Sequence, residues 1–202
     1  MKTITFLFLS FFLVSCGGKS GSGSKSPELT FPAATAFDIE AEGVNYLGHF
    51  RHDRKIRYSS CWGYSANGRE YALLGVYDGL SVVDITDAPI LKEISFIPGP
   101  SSIWKEIKTY KHYAYIVNEQ EGGMQIIDLS QLPLKAELIA TYTGFQTAHN
   151  IHVDESRSIL LAEGTSSVPV RVLSLADPIN PTVLGETGQG AAHDMMSFKN
   201  RV

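Results

Sequence analysis

Histidine is the residue type in this chain best suited to metal binding or proton transfer, and it occurs in two close pairs. His49 and His52 form the first pair, and His149 and His152 form the second. Residues three apart in a β-strand point to opposite faces of the sheet, so neither pair is expected to hold one ion.

A better pair is formed by His149 and His193, which are 44 residues apart at matching positions of a repeat. Asn150, Asp194 and Glu106 are expected near them, and oxygen and imidazole ligands together could form a shallow metal site. A hydrogen-bonding role that joins neighbouring repeat units explains the same recurrence. We favour that structural role and predict neither a metal nor another cofactor.

Aromatic and histidine side chains open successive units of this repeat, at steps of 42, 45 and 44 residues. Tryptophan at two of the starts favours packing over ligand chemistry. The candidate positions at the starts of the units are Trp62, Trp104, Glu106, His149, Asn150, His193 and Asp194.

The remaining polar motifs predict turns. Asp84 and Asp128 follow apolar runs and are expected to accept backbone N–H bonds, as in Asx turns. The acidic stretch 119–123 is expected to be a solvated hairpin turn, with a Ca²⁺ site as the alternative. Nucleophile elbows, phosphate loops and HExxH motifs are absent from the sequence, so no catalytic residue is predicted.

Two features near the first unit have competing interpretations. Cys61 is expected to be a buried small hydrophobe. The cluster of Arg57, Tyr58, Trp62 and Tyr64 could form a contact surface for a partner or a sugar, or be an ordinary packed strand and its loop.

Three sequence segments recur together at a spacing of about 44 residues, which defines the repeat. The run GLSVVDIT at 79–86 matches GMQIIDLS at 123–130 and, less closely, PVRVLSLA at 169–176. Ser174 stands in the third copy where Asp84 and Asp128 stand in the others. Each unit contains four short apolar runs separated by Gly, Pro, Asn or Asp, which is typical of β-strands.

The repeat predicts an all-β fold, a β-propeller of four-stranded blades. The central runs are almost continuously apolar, which requires cover on both faces, and without helices other sheets must supply it. A β-sandwich of irregular strands is the alternative, but it does not explain the constant spacing.

These motifs carry a resemblance to a known family. The runs YAYIVN at 113–118 and GMQIIDLS at 123–130 resemble the LVIVD repeat of bacterial and archaeal surface propellers. The stretches SSIWKEIK at 101–108, TAHNI at 147–151 and AHD at 192–194 resemble the choice-of-anchor B family. The resemblance covers roughly residues 44–202 and implies a propeller outside the cytoplasm, fixed to the cell surface by a terminal device.

The repeat units predicted here do not complete a ring. Three blades at about 62–100, 104–144 and 149–190 precede a partial unit at 193–202, whereas propellers close with four to eight blades. The segment 44–50 is expected to be a lone outer strand. We therefore expect a fragment of a longer propeller, with edge-to-edge self-association of a short chain as the alternative.

The N-terminus predicts export and lipidation. An apolar run of about 11 residues from Ile4 to Val14 is typical of a signal peptide and too short to cross a bilayer. The sequence LVSCG at 13–17 resembles the bacterial lipobox, which predicts acylation of Cys16; an ordinary signal peptide is the alternative. The predicted organisation is a signal peptide over 1–15, a Gly/Ser-rich tether over 16–43 and repeats over 44–202.

Composition narrows the function classes. A net charge of −4, with 19% charged and 44% hydrophobic residues, favours a chain with a packed core over a nucleic-acid binder. The resulting prediction is a scaffold anchored to membrane lipid at the bacterial outer membrane or cell surface, binding a protein or glycan. The alternative is a divalent-metal hydrolase or lactonase with its site at the channel mouth of the propeller.

Overall fold

A computed structural model describes residues 43–52 and 57–198 of the chain. The predicted signal peptide, Cys16 and nearly all of the tether lie outside these residues, as do residues 199–202. The chain divides into two compact units, 1–47 and 48–202. In the first, the described residues 43–47 contain no helix or strand; everything below concerns the second.

Twelve strands make up the described part of the second unit. The first sheet contains β1 (Tyr58–Ala66), β2 (Arg69–Val76), β3 (Gly79–Asp84) and β4 (Lys92–Pro98); the second contains β5 (Lys105–Tyr110), β6 (Tyr113–Asn118), β7 (Met124–Asp128) and β8 (Glu137–Tyr142); the third contains β9 (Asn150–Asp154), β10 (Ile159–Glu163), β11 (Val170–Ser174) and β12 (Thr182–Thr187).

The predicted all-β fold is confirmed, as three four-stranded antiparallel sheets. Each sheet is built from four consecutive strands in chain order, and none of the three closes on itself within the described residues. Short turns such as Asn67–Gly68, where both residues have positive φ, fit the twist of an antiparallel hairpin. Among the described residues no helix is long and apolar enough to span a membrane.

The three sheets share one irregularity. In each, the register between the third and fourth strands shifts once, at Val82/Val83, Ile126/Ile127 and Val172/Leu173. A bulge of this kind increases the local twist of the outer strand.

Two apolar clusters fill the spaces between the sheets. In the first cluster, Leu73 and Val82 of the first sheet meet Ile107 and Ile116 of the second. The second cluster joins the second and third sheets through residues such as Tyr115, Ile126, Ile151 and Leu160. Burial of both faces of the second sheet explains the continuously apolar runs in its sequence.

The first strands of the three sheets lie next to one another and run in the same direction. Ser59 Oγ accepts the Lys105 N–H at 2.7 Å near the start of β1 and β5, and Trp62 Nε1 donates to Thr109 Oγ1 at 3.0 Å further along. Between β5 and β9, Tyr110 and Ser158 share a hydroxyl–hydroxyl bond of 2.5 Å beyond the far end of β9. Corresponding ends of the three sheets therefore lie on the same side.

Residues 44–50 are assigned to no strand, and the blade that they are expected to complete is not among the three described sheets, so their role as an outer strand stays a prediction. One expectation from the sequence is wrong: Cys61 is exposed rather than buried. It lies on β1, the first strand of its sheet, which has a ladder neighbour on one side only.

Candidate functional site

The sheets have two ends of different character. At the turn end lie the hairpins after the first and third strands of each sheet, including 85–91, 129–136 and 175–181. At the crossover end lie the hairpins after each second strand and the links from one sheet to the next, including 99–104, 119–123 and 143–149. Six of the seven candidate positions, all except Trp62, lie at the crossover end.

Trp62 lies in the middle of β1 and is not the counterpart of Trp104, contrary to the sequence alignment. Trp62 pairs with Leu73, and the same place in the other two sheets is held by Lys108 and His152. A register irregularity near Tyr58 lengthens β1, so the start of that strand cannot be located from the aromatic residue.

Trp104 and Glu106 lie where the first sheet leads into the second. Trp104 is 58% exposed, and its backbone is fixed by Ser102, whose Oγ accepts the Trp104 N–H at 3.0 Å. The Glu106 carboxylate pairs with the Lys108 ammonium on the same strand. Trp104 is thus an exposed aromatic side chain on a loop fixed by a hydrogen bond, whereas the Glu106 carboxylate is occupied by its ion pair with Lys108.

His149 and His193 come together, at a distance of 4.0 Å between ring centroids. The Nδ1 atom of His149 contacts Glu119, and that of His193 lies 2.7 Å from Asp194 Oδ2. Gly164 lies directly beneath His149: its φ is +57°, and a Cβ there would lie 2.9 Å from the His149 Cβ. Glycine is required at this close approach.

Asn150 and Asp194 link β9 to the segment that follows the third sheet. The Asn150 amide donates to Asp194 Oδ1. The hydrogen bond from His193, together with that from Asn150, holds the pKa of Asp194 below its usual range. These contacts join the third sheet to the segment that follows it, and the His149–Glu119 contact joins it to the second sheet.

Glu163, which the sequence analysis missed, is the buried acid of this cluster. It is 0% exposed, lies opposite Asn150 on β10, and accepts the Met195 N–H at 2.9 Å through Oε2. Its Oε1 has no hydrogen-bond partner. Burial raises the pKa of Glu163 to about 7, and the Asp194 carboxylate adds to the shift. A glutamate at the end of an apolar strand gives no sequence signal of burial.

Metal-ligating side chains do not gather in threes at this end. In the described ranges no group of three or more His, Cys, Asp or Glu side chains could hold an ion. His149 and His193 each pair with one carboxylate through Nδ1. His149 and His152 make separate contacts, since His152 Nε2 meets Ser197 at 3.1 Å.

Lys108 is a second residue that the sequence analysis missed. Its ammonium lies 4.5 Å from the centroid of the Trp62 ring, a cation–π contact between neighbouring strands. Although Cys61 is exposed as a residue, neighbouring groups partly shield its thiol from water, which raises the thiol pKa; Glu106 raises it further and Lys108 lowers it. A raised thiol pKa disfavours the reactive thiolate.

The predicted Asx turns are confirmed. Asp84 Oδ1 accepts the Thr86 N–H at 3.0 Å, and Asp128 Oδ1 accepts the Ser130 N–H at 2.7 Å. Ser174, the exception in the sequence pattern, makes the corresponding bond, as its Oγ accepts the Ala176 N–H at 3.2 Å. A carboxylate or a hydroxyl oxygen thus accepts the same backbone hydrogen bond at this position.

The acidic stretch 119–123 is a turn organised by the side chain of Asn118, the residue that precedes it. Asn118 Oδ1 accepts the N–H groups of Gln120 at 2.8 Å and Glu121 at 3.0 Å. Glu119 is paired with His149, as described above.

The residues 57–64 do not present one contact surface. The Tyr64 ring packs against the first apolar cluster, and Tyr58 Oη accepts the His52 N–H at 2.7 Å. The Arg57 carbonyl accepts the Tyr77 N–H at 2.9 Å. Trp62 also reaches the next sheet, through its Nε1 bond to Thr109.

No family model, curated protein or solved structure matches this chain. The resemblance to the LVIVD-repeat and choice-of-anchor B families therefore stays a prediction.

Proposed function

We propose that this chain is a bacterial cell-envelope lipoprotein of the LVIVD-repeat type, a β-propeller that is anchored through acylated Cys16 and binds a protein or glycan at its crossover end. The lipobox-like sequence at 13–17 supports the anchoring. It also supports a location at the outer membrane or cell surface.

The propeller architecture is supported by the relation between the three sheets. Their first strands lie side by side and parallel, and apolar clusters join consecutive sheets face to face. Blades around a central axis have this relation, with the first strand of each blade innermost. Segment 192–198, which follows β12, lies against β9 through its Ser197 contacts, where the inner strand of a further blade would begin.

The observation that carries the binding function is the exposed aromatic and apolar surface of the crossover end. Trp104, Ile103 and Tyr77 are all exposed there. The Ser102 N–H donates to the Tyr77 carbonyl at 2.9 Å, which holds the two loops together. Exposed aromatic side chains on rigid loops are typical of sites that bind proteins or sugars.

The metal-dependent hydrolase or lactonase is the less supported function, because no group of three or more metal-ligating side chains that could hold an ion lies among the described residues. Metal analysis of the purified chain tests it. We expect no stoichiometric ion and no change in Tm with EDTA. An ion that is lost when His149→Ala and His193→Ala are combined would favour the enzyme.

Anchoring is tested first, by labelling cells with a radioactive fatty acid. Wild-type chain is expected to incorporate label and to fractionate with membranes, and Cys16→Ser to do neither. An unlabelled wild-type chain would contradict the lipoprotein assignment.

Binding is tested in the same cells with a photo-crosslinking amino acid at position 104. The matched control places it at Leu184, which is 60% exposed on β12. We expect a discrete adduct for a protein partner, or a heterogeneous one for a glycan, at position 104 only. Trp104→Ala is expected to weaken binding of that partner by about tenfold or more. Equal adducts at both positions would contradict a site at the crossover end.

A further inference from the structure

The turn end carries an exposed apolar side chain in the corresponding hairpin of each sheet. Ile90, Leu134 and Ile179 each directly follow a proline between the third and fourth strands. They are 76%, 83% and 38% exposed. Single exposed apolar residues are ordinary, but these three recur from hairpin to hairpin, and none belongs to the two buried clusters.

These side chains are held by rigid hairpins. The Ile90 N–H donates to the Asp87 carbonyl at 3.0 Å, and the Leu134 N–H to the Gln131 carbonyl at 2.8 Å. The hairpin that carries Ile179 is fixed to the neighbouring sheet, because Tyr115 Oη donates to the Pro178 carbonyl at 3.0 Å. Apolar side chains on fixed loops lose little conformational freedom when they are buried.

Gly48, the first residue of the second unit, lies at this same end. A Cβ built on it would lie 3.3 Å from the Cα of Pro89, the residue before Ile90. The second unit therefore begins beside the first of the three side chains.

The hairpins carry no strong net charge that would select a charged partner. Asp87 pairs with Arg69 at 3.4 Å, and Lys135 beside Leu134 pairs with Glu137 at 2.6 Å. Asp177 beside Ile179 is exposed and accepts a hydrogen bond from the Asn180 amide. The contact that these loops can make is apolar and shallow, which fits the interfacial layer of a lipid bilayer.

We propose that Ile90, Leu134 and Ile179 insert into the outer layer of the membrane that holds Cys16, so that the turn end faces the bilayer and the crossover end faces away. This inference rests on the proposed lipid anchor. Three side chains bind a bilayer weakly by themselves, but an anchored body is always near the surface, so a small intrinsic affinity suffices.

The experiment uses the mature acylated protein in vesicles that contain a phospholipid with a photoactivatable diazirine in its acyl chain. After illumination, labelled peptides are mapped by mass spectrometry. We expect label on the Cys16 peptide and on the three hairpins, and none around Trp104.

The triple variant Ile90→Ser, Leu134→Ser, Ile179→Ser removes exposed side chains and is expected to keep the fold. Hairpin labelling should fall about fivefold or more, while labelling of the Cys16 peptide stays constant. The matched control replaces exposed apolar residues of the outer strands, Leu138→Ser, Val183→Ser and Leu184→Ser, and should leave hairpin labelling unchanged.

Label on the Cys16 peptide alone would overturn membrane docking and leave the anchor intact. A Cys16 peptide without label would overturn both. Cross-links between the hairpins of two copies, in place of lipid label, would overturn docking in favour of a dimer through the turn end.

Discussion

The contacts between neighbouring described sheets differ in polarity from the contact between the third sheet and segment 192–198. Between the first and second sheets, and between the second and third, buried aliphatic and aromatic side chains make the contact. On the far face of the third sheet, His152, Asp154 and Glu163 hold the segment by hydrogen bonds to Ser197 and Met195. We call this contact the polar junction.

Equivalent positions show how the difference arises. The register places Glu163 where the second sheet has Val117 and the first has Gly75. One strand framework thus supports either an apolar junction or a titratable one, depending on a few side chains. Because apolar burial is insensitive to pH and buried ionisable groups are not, the two kinds of junction should respond differently to acid and base.

The largest expected effect is the loss of unfolding free energy when a buried leucine is truncated at each of the two kinds of junction. Leu73 and Leu161 hold the same place in the first and third sheets, and both are buried. Leu73→Ala leaves a cavity between two sheets and should cost about 2–5 kcal/mol of unfolding free energy. Leu161→Ala, covered by a single segment, should cost less, about 1–2 kcal/mol, because that segment can relax. Urea denaturation measures both, and equal losses would contradict the distinction.

Glu163 should make the polar junction sensitive to pH. Its pKa is raised in the folded protein from 4.5 to about 7 by burial, with Asp194 and Glu106 raising it and Lys108 and the Met195 N–H lowering it. The folded state therefore favours the protonated acid, and stability falls as pH rises from about 4.5 to 7, by about 1–3 kcal/mol. Glu163→Gln should remove this component of the dependence, as followed by denaturation at each pH. The control is Glu137→Gln, which removes an exposed carboxylate. If the pH dependence of stability is lost in that variant as well, Glu163 is not its source.

His152 should act in the opposite direction. Its Nε2 accepts the Ser197 N–H at 3.2 Å, which requires a neutral ring. Burial lowers the pKa of His152, Lys108 lowers it further and Asp154 opposes the shift. The contribution of neutral His152 to the unfolding free energy is complete above pH 6.5. It decreases by about 1 kcal/mol or less as the pH falls below that value. In the wild-type protein, exchange of the Ser197 amide hydrogen, corrected for intrinsic rates, should become faster as His152 is protonated at low pH. In His152→Gln this acceleration should be absent. The same acceleration in the variant would contradict the role of His152.

An effect of similar size concerns one of the polar contacts within the mainly apolar junction between the second and third sheets. The Tyr115 hydroxyl donates to the Pro178 carbonyl at 3.0 Å, and burial raises its pKa. Tyr115→Phe keeps the ring and should cost about 1 kcal/mol of unfolding free energy, measured by urea denaturation. A loss as large as that of Leu73→Ala would mean that the hydrogen bond, rather than apolar packing, holds the second and third sheets together.

The sequence predicted the strands, the turns at Asp84 and Asp128, and the approach of His149 to His193, because each depends on local pattern or repeat spacing. It did not predict the place of Trp62, since a register irregularity in β1 changes strand length without a sequence signal. Glu163 was missed because its burial depends on Met195, a residue 32 positions away that follows the third sheet. Cys61 was misjudged because exposure of a first strand depends on the arrangement of whole sheets.

Native-state hydrogen exchange at neutral pH tests the contrast between the junctions most directly. We expect the amides of β2 and β6, within the apolar junctions, to exchange only with global unfolding, and those of Met195 and Ser197 to be about a hundredfold less protected. Equal protection in the strands and in segment 192–198 would show that the polar junction is as firmly closed as the apolar ones, and would contradict the difference drawn between them.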